Sequence, residues 1–270
     1  MAKQKGITQV SGKLNGVVGV ISPTNGNILR KAPTPGPITS EAFRAQSVLT
    51  GPISRLSGSI RQATEQYAKK FKSAKFVKRM NKLFRVPKSA ERYLMISQLR
   101  DFEVNEAYPF SRFWFQHNIE VTKEETELTV RLIVKSHVEY KMDFNTYYLQ
   151  FVVLFWNTEN NDIAHDQKKT HWIYRKDELP LGGDLHFPLP ENVSDYLVMC
   201  RIDTAVNKKN FGLLPEQGMK VVCTGSYSER SLQLLADYTA AKKQEEADRH
   251  AEHQRPAVEE ERVEMKKLIV

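Results

Sequence analysis

A chain of 270 residues that is 40% hydrophobic and 27% charged, with a formal net charge of +8, supports a sizeable core in one or two domains and is too apolar to be disordered. Its two cysteines, Cys200 and Cys223, exclude a disulfide-dense mini-domain and a zinc site made of thiolates alone, and no uncharged apolar run is long enough to span a bilayer. The charge is divided: residues 1–100 hold 19 Lys and Arg against three acids (Glu41, Glu65 and Glu91), a balance of +16, so the other 170 residues sum to −8, an asymmetry that points to a polyanionic or acidic partner for the basic part.

Met1 to Gly6 contains two lysines and leads into no apolar core, so no signal peptide is expected and the chain is placed in the cytoplasm or in an assembled particle. Residues 1–32 read as a β-meander arm. Asn15-Gly16 and Asn25-Gly26 are hairpin-turn dipeptides between β-branched runs, with Val17 to Ile21 as the middle strand. Gly12, Gly16 and Gly19 sit in or beside it and imply a bulge or a close backbone approach, and so short a meander needs something to pack on. Pro33, Pro35 and Pro37 then make a stiff connector that opens a basic helical segment over residues 33–100.

Thr39-Ser40-Glu41 reads as a helix start, Gly51-Pro52 as an interruption, and a second helix is expected from Ile53 to Phe84. In it Ile60, Thr64, Tyr67, Phe71, Ala74 and Val77 recur every three or four residues as one apolar face. Lys69, Lys70, Lys72, Lys75, Lys78, Arg79, Lys82, Arg85 and Lys88, with Arg92, face a single acid in this stretch, Glu91. All of them are expected in solvent, on an amphipathic and strongly basic helix closed by Pro87, with a further helical piece from Glu91 to Leu99.

Residues 101–227 read as a compact antiparallel β-sandwich of immunoglobulin-like type with six or seven strands. Leu128, Val130, Leu132 and Val134 alternate with Thr129, Arg131, Ile133 and Lys135, so one face of that strand is buried, whereas Leu149 to Trp156 is a nearly continuous apolar run suited to a central strand. Further strands are expected at His171 to Arg175, Asp184 to Phe187, Asp195 to Thr204 and Met219 to Gly225. Asn157 to Asp162, Leu181-Gly182-Gly183-Asp184 and Pro188-Leu189-Pro190 read as turns. Residues 228–270 are a charged helical tail: Leu232, Leu235, Tyr238 and Thr239 can pack back, while Lys242 to Lys267 holds seven bases and eight acids and is interrupted by Pro256. The fold class is therefore α+β.

Lys5-Gly6-Ile7, Ser11-Gly12-Lys13-Leu14-Asn15-Gly16-Val17-Val18-Gly19, Ile28-Leu29-Arg30-Lys31 and Pro33 resemble the opening of a protein family of no established activity that is frequent in Bacteroidota genomes. The resemblance covers residues 5–85 and, more loosely, 145–225. It implies a helical segment starting near Thr39 to Ala45 and an all-β carboxy-terminal domain, with Leu154-Phe155-Trp156-Asn157 at a strand end, and it implies no mechanism. The lysine load of Lys69 to Arg92 and the long charged tail depart from that family.

No nucleophile elbow, phosphate loop or metal cluster is legible, and no cofactor or metal is expected. The glycines between Ser11 and Gly19 precede no helix. His165, Asp166 and His171 share a polar stretch that lacks a third histidine nearby and read as surface loop. An enzymatic site would have to be assembled by folding, from Asp143, His171, Asp184 or Glu191. Cys200 and Cys223 fall on inward positions if Tyr196, Val198, Cys200, Ile202 and Met219, Val221, Cys223 are read at period two, as buried free thiols that could face one another. Tyr108, Phe110, Phe113, Trp114 and Phe115, with Arg112 among them, are a stacking platform or, in the reading favoured here, core.

These readings converge on a non-enzymatic structural or interaction subunit of a larger particle, virion-like or of an injection-type apparatus. The arm and the basic helix would contact neighbouring subunits, in a homo-oligomer or with other proteins. The alternative is non-sequence-specific nucleic-acid binding through residues 69–92, because lysines supply point charges for phosphates rather than base-reading forks.

Overall fold

The computed structural model describes residues 2–3, 12–14, 17–22, 26–31, 41–68, 71–139, 144–158, 162–206 and 216–267, with side chains described between 48 and 251. The chain divides into two compact units, Met1–Ser47 and Val48–Val270.

The first unit holds a four-stranded antiparallel sheet built from β1 (Ala2–Lys3), β2 (Gly12–Leu14), β3 (Val17–Ser22) and β4 (Gly26–Lys31), in the order β1-β4-β3-β2. Leu14 pairs with Val17 and Ser22 with Gly26, so the chain reverses at the two places where the Asn-Gly dipeptides occur. Asn15, Gly16 and Asn25 themselves lie outside the described residues. Gly12 stands directly opposite Gly19, a cross-strand pair with no side chain on either strand.

Helix α1 (Glu41–Ala63) contains Pro52, so the expected interruption at Gly51-Pro52 does not occur. Pro52 removes one backbone donor, but Ile53, Leu56 and Ile60 repeat at helical spacing and are all buried, and that burial holds the helix together across the missing bond. The single second helix expected to reach Phe84 is also absent. Thr64 closes α1 by donating its hydroxyl to the carbonyls of Ile60 (2.8 Å) and Arg61 (3.1 Å), the local competition that makes threonine a poor helix-interior residue. There follow α2 (Glu65–Ala68), a turn, α3 (Phe76–Phe84) and α4 (Arg92–Ser97). Ile60, Thr64, Tyr67 and Phe71 are buried as expected, but the phase then resets: Ala74 is exposed, and the inward face of α3 is Phe76, Met80 and Phe84.

Among the described residues eight strands follow: β5 (His117–Lys123), β6 (Glu127–Val134), β7 (Thr146–Asn157), β8 (Ile163–Lys169), β9 (Ile173–Tyr174), β10 (Leu181–Pro188), β11 (Val193–Ala205) and β12 (Gln217–Ser226). They form a three-stranded sheet, β10-β6-β5, and a five-stranded sheet, β12-β11-β7-β8, with β9 pairing β7. All pairings are antiparallel, and the protein is α+β. Leu128, Val130, Leu132 and Val134 point into the space between the sheets, and every residue from Phe151 to Trp156 is buried. Residues 181–184 belong to β10 rather than to a turn. A Cβ on Gly182 would lie 2.0 Å from the carbonyl oxygen of Leu132, so the glycine is there for close backbone approach within a strand.

The five-stranded sheet is covered twice. Phe151, Val153, Phe155, Val198, Cys200 and Ile202 face the three-stranded sheet. Val152, Leu154, Trp156, Leu197, Met199, Met219 and Val221 share a second core with Ile53, Leu56, Ile60, Phe76, Met80, Phe84 and Met95 from the helices. The helical segment and the sandwich, assigned above to 33–100 and 101–227, therefore have one interior in common. Ser228 caps α5 (Glu229–Lys267) by accepting the Ser231 N–H (3.3 Å). Leu234, Leu235 and Tyr238 are half-buried, Leu232 and Thr239 are exposed, and the helix continues through Pro256.

Candidate interaction surface

The lysine-rich stretch does not behave as one surface. Lys75, Lys78, Lys82 and Arg85 recur at three- and four-residue spacing on the side of α3 opposite Phe76, Met80 and Phe84 and are exposed, as is Lys88 just beyond, which holds φ at 51°. Among the described residues, no carboxylate lies within ion-pair distance of these five cations. Lys75 caps the N-terminus of a helix with no acid in its first turn, an arrangement that opposes the helix dipole and costs stability.

The remaining cations expected in solvent are placed otherwise. Lys72 is half-buried and ion-paired with Glu65. Arg79 pairs with Glu106 (Nε to Oε1, 2.8 Å) and lies over the Phe102 ring, 4.5 Å from its centroid. Arg92 is drawn inside, against Asp195. Each partner is an acid far away in sequence or outside the basic run, so the local excess of charge misstates the exposed charge. Lys69 and Lys70 lie outside the described residues, and so does Gly16 of the arm, whereas Gly12 and Gly19 are in β2 and β3.

The aromatic group is mostly interior: Phe110, Phe113 and Phe115 are buried, and Arg112 stacks between Tyr108 (5.0 Å) and Phe113 (4.8 Å). Trp114 is 69% exposed, with its backbone paired to Glu139 in both directions (3.2 and 2.8 Å). His165 is a strand residue of β8, bonded to the Tyr67 hydroxyl (2.9 Å) and to Gln66, and His171 lies beyond the far end of that strand. Among the described residues no three His, Cys, Asp or Glu side chains are grouped to hold a metal ion. His171 and Asp184 border an open groove of about 380 Å³ floored by Leu132, Val134 and Ile173, Glu191 is exposed in a turn, and Asp143 lies outside the described residues.

Cys200 and Cys223 are both free. A register shift beside Val198 places Val198 opposite Cys223 but Cys200 opposite Lys220. Because of this bulge, Met219 and Val221 face the helices while Cys223 packs toward the sandwich interior, so the period-two reading of β12 fails at Val222. Burial pushes both thiols above their ordinary range. Among the described residues no helix is long and apolar enough to cross a membrane.

No family model matches the chain, and no curated protein matches it. Among solved structures, the solution structure of CsgH from R. palustris is similar over 40% of this chain and 93% of that one, with 7% sequence identity and a TM-score of 0.20. At that score the likeness carries no functional argument.

Proposed function

We propose that the chain is a non-enzymatic structural or interaction subunit of a larger multi-protein assembly, of virion-like or injection-type kind, which offers the outer face of α3 to an acidic surface of a neighbouring subunit. The observation that carries this reading is the stripe Lys75, Lys78, Lys82, Arg85: four cations on one helical face, with no carboxylate in ion-pair range among the described residues, on a helix whose other face is locked into the core. A charge at the helix N-terminus that opposes the dipole is better accounted for by binding than by stability. The separate four-stranded sheet of the first unit supplies a second contact element.

The test is the mass of the native species by light scattering at low and high salt, with its nucleic-acid absorbance ratio. A protein-only assembly that falls apart in salt, and that fails to form when Lys78 and Lys82 are changed to Glu, supports the reading. An assembly indifferent to both removes it.

The second reading, phosphate-backbone binding to nucleic acid, is favoured by the predominance of lysine in the stripe. Four phosphate contacts predict a slope of log K against log salt of about −3 to −4. Binding that is absent or insensitive to salt eliminates this reading.

A further inference from the structure

The two edges of the five-stranded sheet are treated differently. At β12 the preceding chain lies alongside: the Asp101 N–H donates to Val221 O (3.0 Å), the Val221 N–H to Phe102 O (3.0 Å) and the Val104 N–H to Met219 O (2.9 Å), so that edge is covered. At the other edge β8 pairs with β7 alone among the described strands. It contains neither proline nor glycine. The Thr170 N–H donates to Leu149 O (2.9 Å) and the Asn157 N–H to Asp162 O (3.0 Å), which fixes the parity of the ladder. Even-numbered residues of β8 turn their backbone groups toward β7, and Ile163, His165, Gln167 and Lys169 turn theirs outward. The outward Gln167 N–H is met by the carboxylate of its own neighbour Asp166 (2.7 Å).

We propose that two copies of this chain pair antiparallel through β8 about a two-fold axis at Gln167, which joins their five-stranded sheets into one. The sequence His165-Asp166-Gln167-Lys168-Lys169 is self-complementary in that register. Gln167 meets Gln167 of the second copy as a hydrogen-bonded pair. Asp166 then meets Lys168 of the second copy in the narrower non-bonded pair, and symmetry makes that ion pair twice. Both side chains project on the side of the three-stranded sheet, where Lys168 Nζ lies 5.8 Å from the Phe187 ring centroid. Neither has an ion-pair partner within its own copy among the described residues.

On the helical side a cleft of about 810 Å³, lined by Ser59, Gln62, Glu65, Gln66, Asp162 and His165, gives room beside β8. Lys169 of the second copy, opposite His165, enters next to Glu65. Charges on an edge strand discourage indiscriminate pairing, and here they single out one register. The pairing uses none of the α3 cations, so its failure leaves the reading of α3 standing.

The experiment is sedimentation velocity and light scattering of the full chain over a concentration series, which is expected to show a concentration-dependent dimer. Gln167→Pro removes an outward N–H and leaves the β7 ladder untouched, so a monomer with unchanged circular dichroism is expected. Asp166→Lys or Lys168→Asp alone sets like charges opposite one another and raises the dimer dissociation constant by about tenfold or more, and the double reversal D166K/K168D restores pairing. If Gln167→Pro does not fold, the charge exchange decides. A wild type that stays monomeric, a dimer that survives Gln167→Pro in a folded chain, or a double reversal that pairs no better than the single ones overturns the proposal.

Discussion

Arg92 illustrates how far a residue's surroundings can depart from its neighbours in sequence. It lies in the most basic stretch of the chain, yet its Nε donates to Asp195 Oδ2 (2.8 Å), its Nη2 to the Ser194 hydroxyl (2.5 Å) and its Nη1 to the carbonyl of Asn157 (3.4 Å). Ser226 donates to the other carboxylate oxygen (2.8 Å), and the Asp195 side chain is 3% exposed. With both carboxylate oxygens engaged the pair is tolerated inside, but removal of the arginine strands a buried carboxylate. Arg92→Ala is therefore expected to destabilise the fold by about 3 kcal/mol in urea titration, with an unchanged α3 stripe. A loss below roughly 1 kcal/mol, the range of an exposed ion pair, would contradict this account. Nothing in the sequence around Arg92 announces the pairing, because Asp195 follows 103 residues later.

At the scale of elements, α3 separates stability from binding. Phe84 is fully buried and belongs to the core shared with the sheet, so Phe84→Ala is expected to cost about 3–5 kcal/mol. Lys82→Glu, on the outer face of the same helix, should change stability by no more than about 0.5 kcal/mol while weakening attachment to an acidic partner. Paired melting curves and binding isotherms check both halves. The strands legible in the sequence are those whose two faces differ or whose faces are both covered: β6 by alternation, β7 by its nearly continuous apolar run. β5 and β8 escaped because edge strands with both faces partly wet carry no such periodicity, whereas β10 is legible at Asp184 to Phe187 and only its start is hidden, because Gly182-Gly183 reads as a turn until the approach of Leu132 is known. The basic residues were legible as a group, but not their division into an outer stripe and an inner set. That division depends on the reset of helical phase between Phe71 and Phe76, where the Asn105 amide donates to the Phe71 carbonyl (2.5 Å) and the Ser73 hydroxyl accepts the Lys75 N–H (3.1 Å).

At the scale of the whole molecule, burial of polar rings makes the second unit sensitive to alkali. Tyr93, Tyr147, Tyr148 and Tyr227 are each pushed up to about 12, chiefly by burial. Because the folded state holds them neutral above the ordinary phenol value, their contribution is fully present below about pH 10 and is lost as pH rises through about 12. Circular dichroism and absorbance at the phenolate band should therefore change together in that interval; smooth ionisation without unfolding would refute the linkage. The α+β class and the division of charge were readable from composition and periodicity, whereas the sharing of one sheet by two layers was not, since no local pattern records which element covers the second face of β7. That double cover determines where the chain can be cut. A fragment that begins at residue 101 would bare Val152, Leu154, Trp156, Leu197 and Met199 as a continuous apolar face and is expected to be insoluble, whereas one that begins at Val48 keeps them covered and is expected to fold. Gene fusions, proteolytic nicks or natural rearrangements are thus tolerable ahead of the helices and ruinous between the helices and the strands, whatever the change in composition near residue 100 would advise.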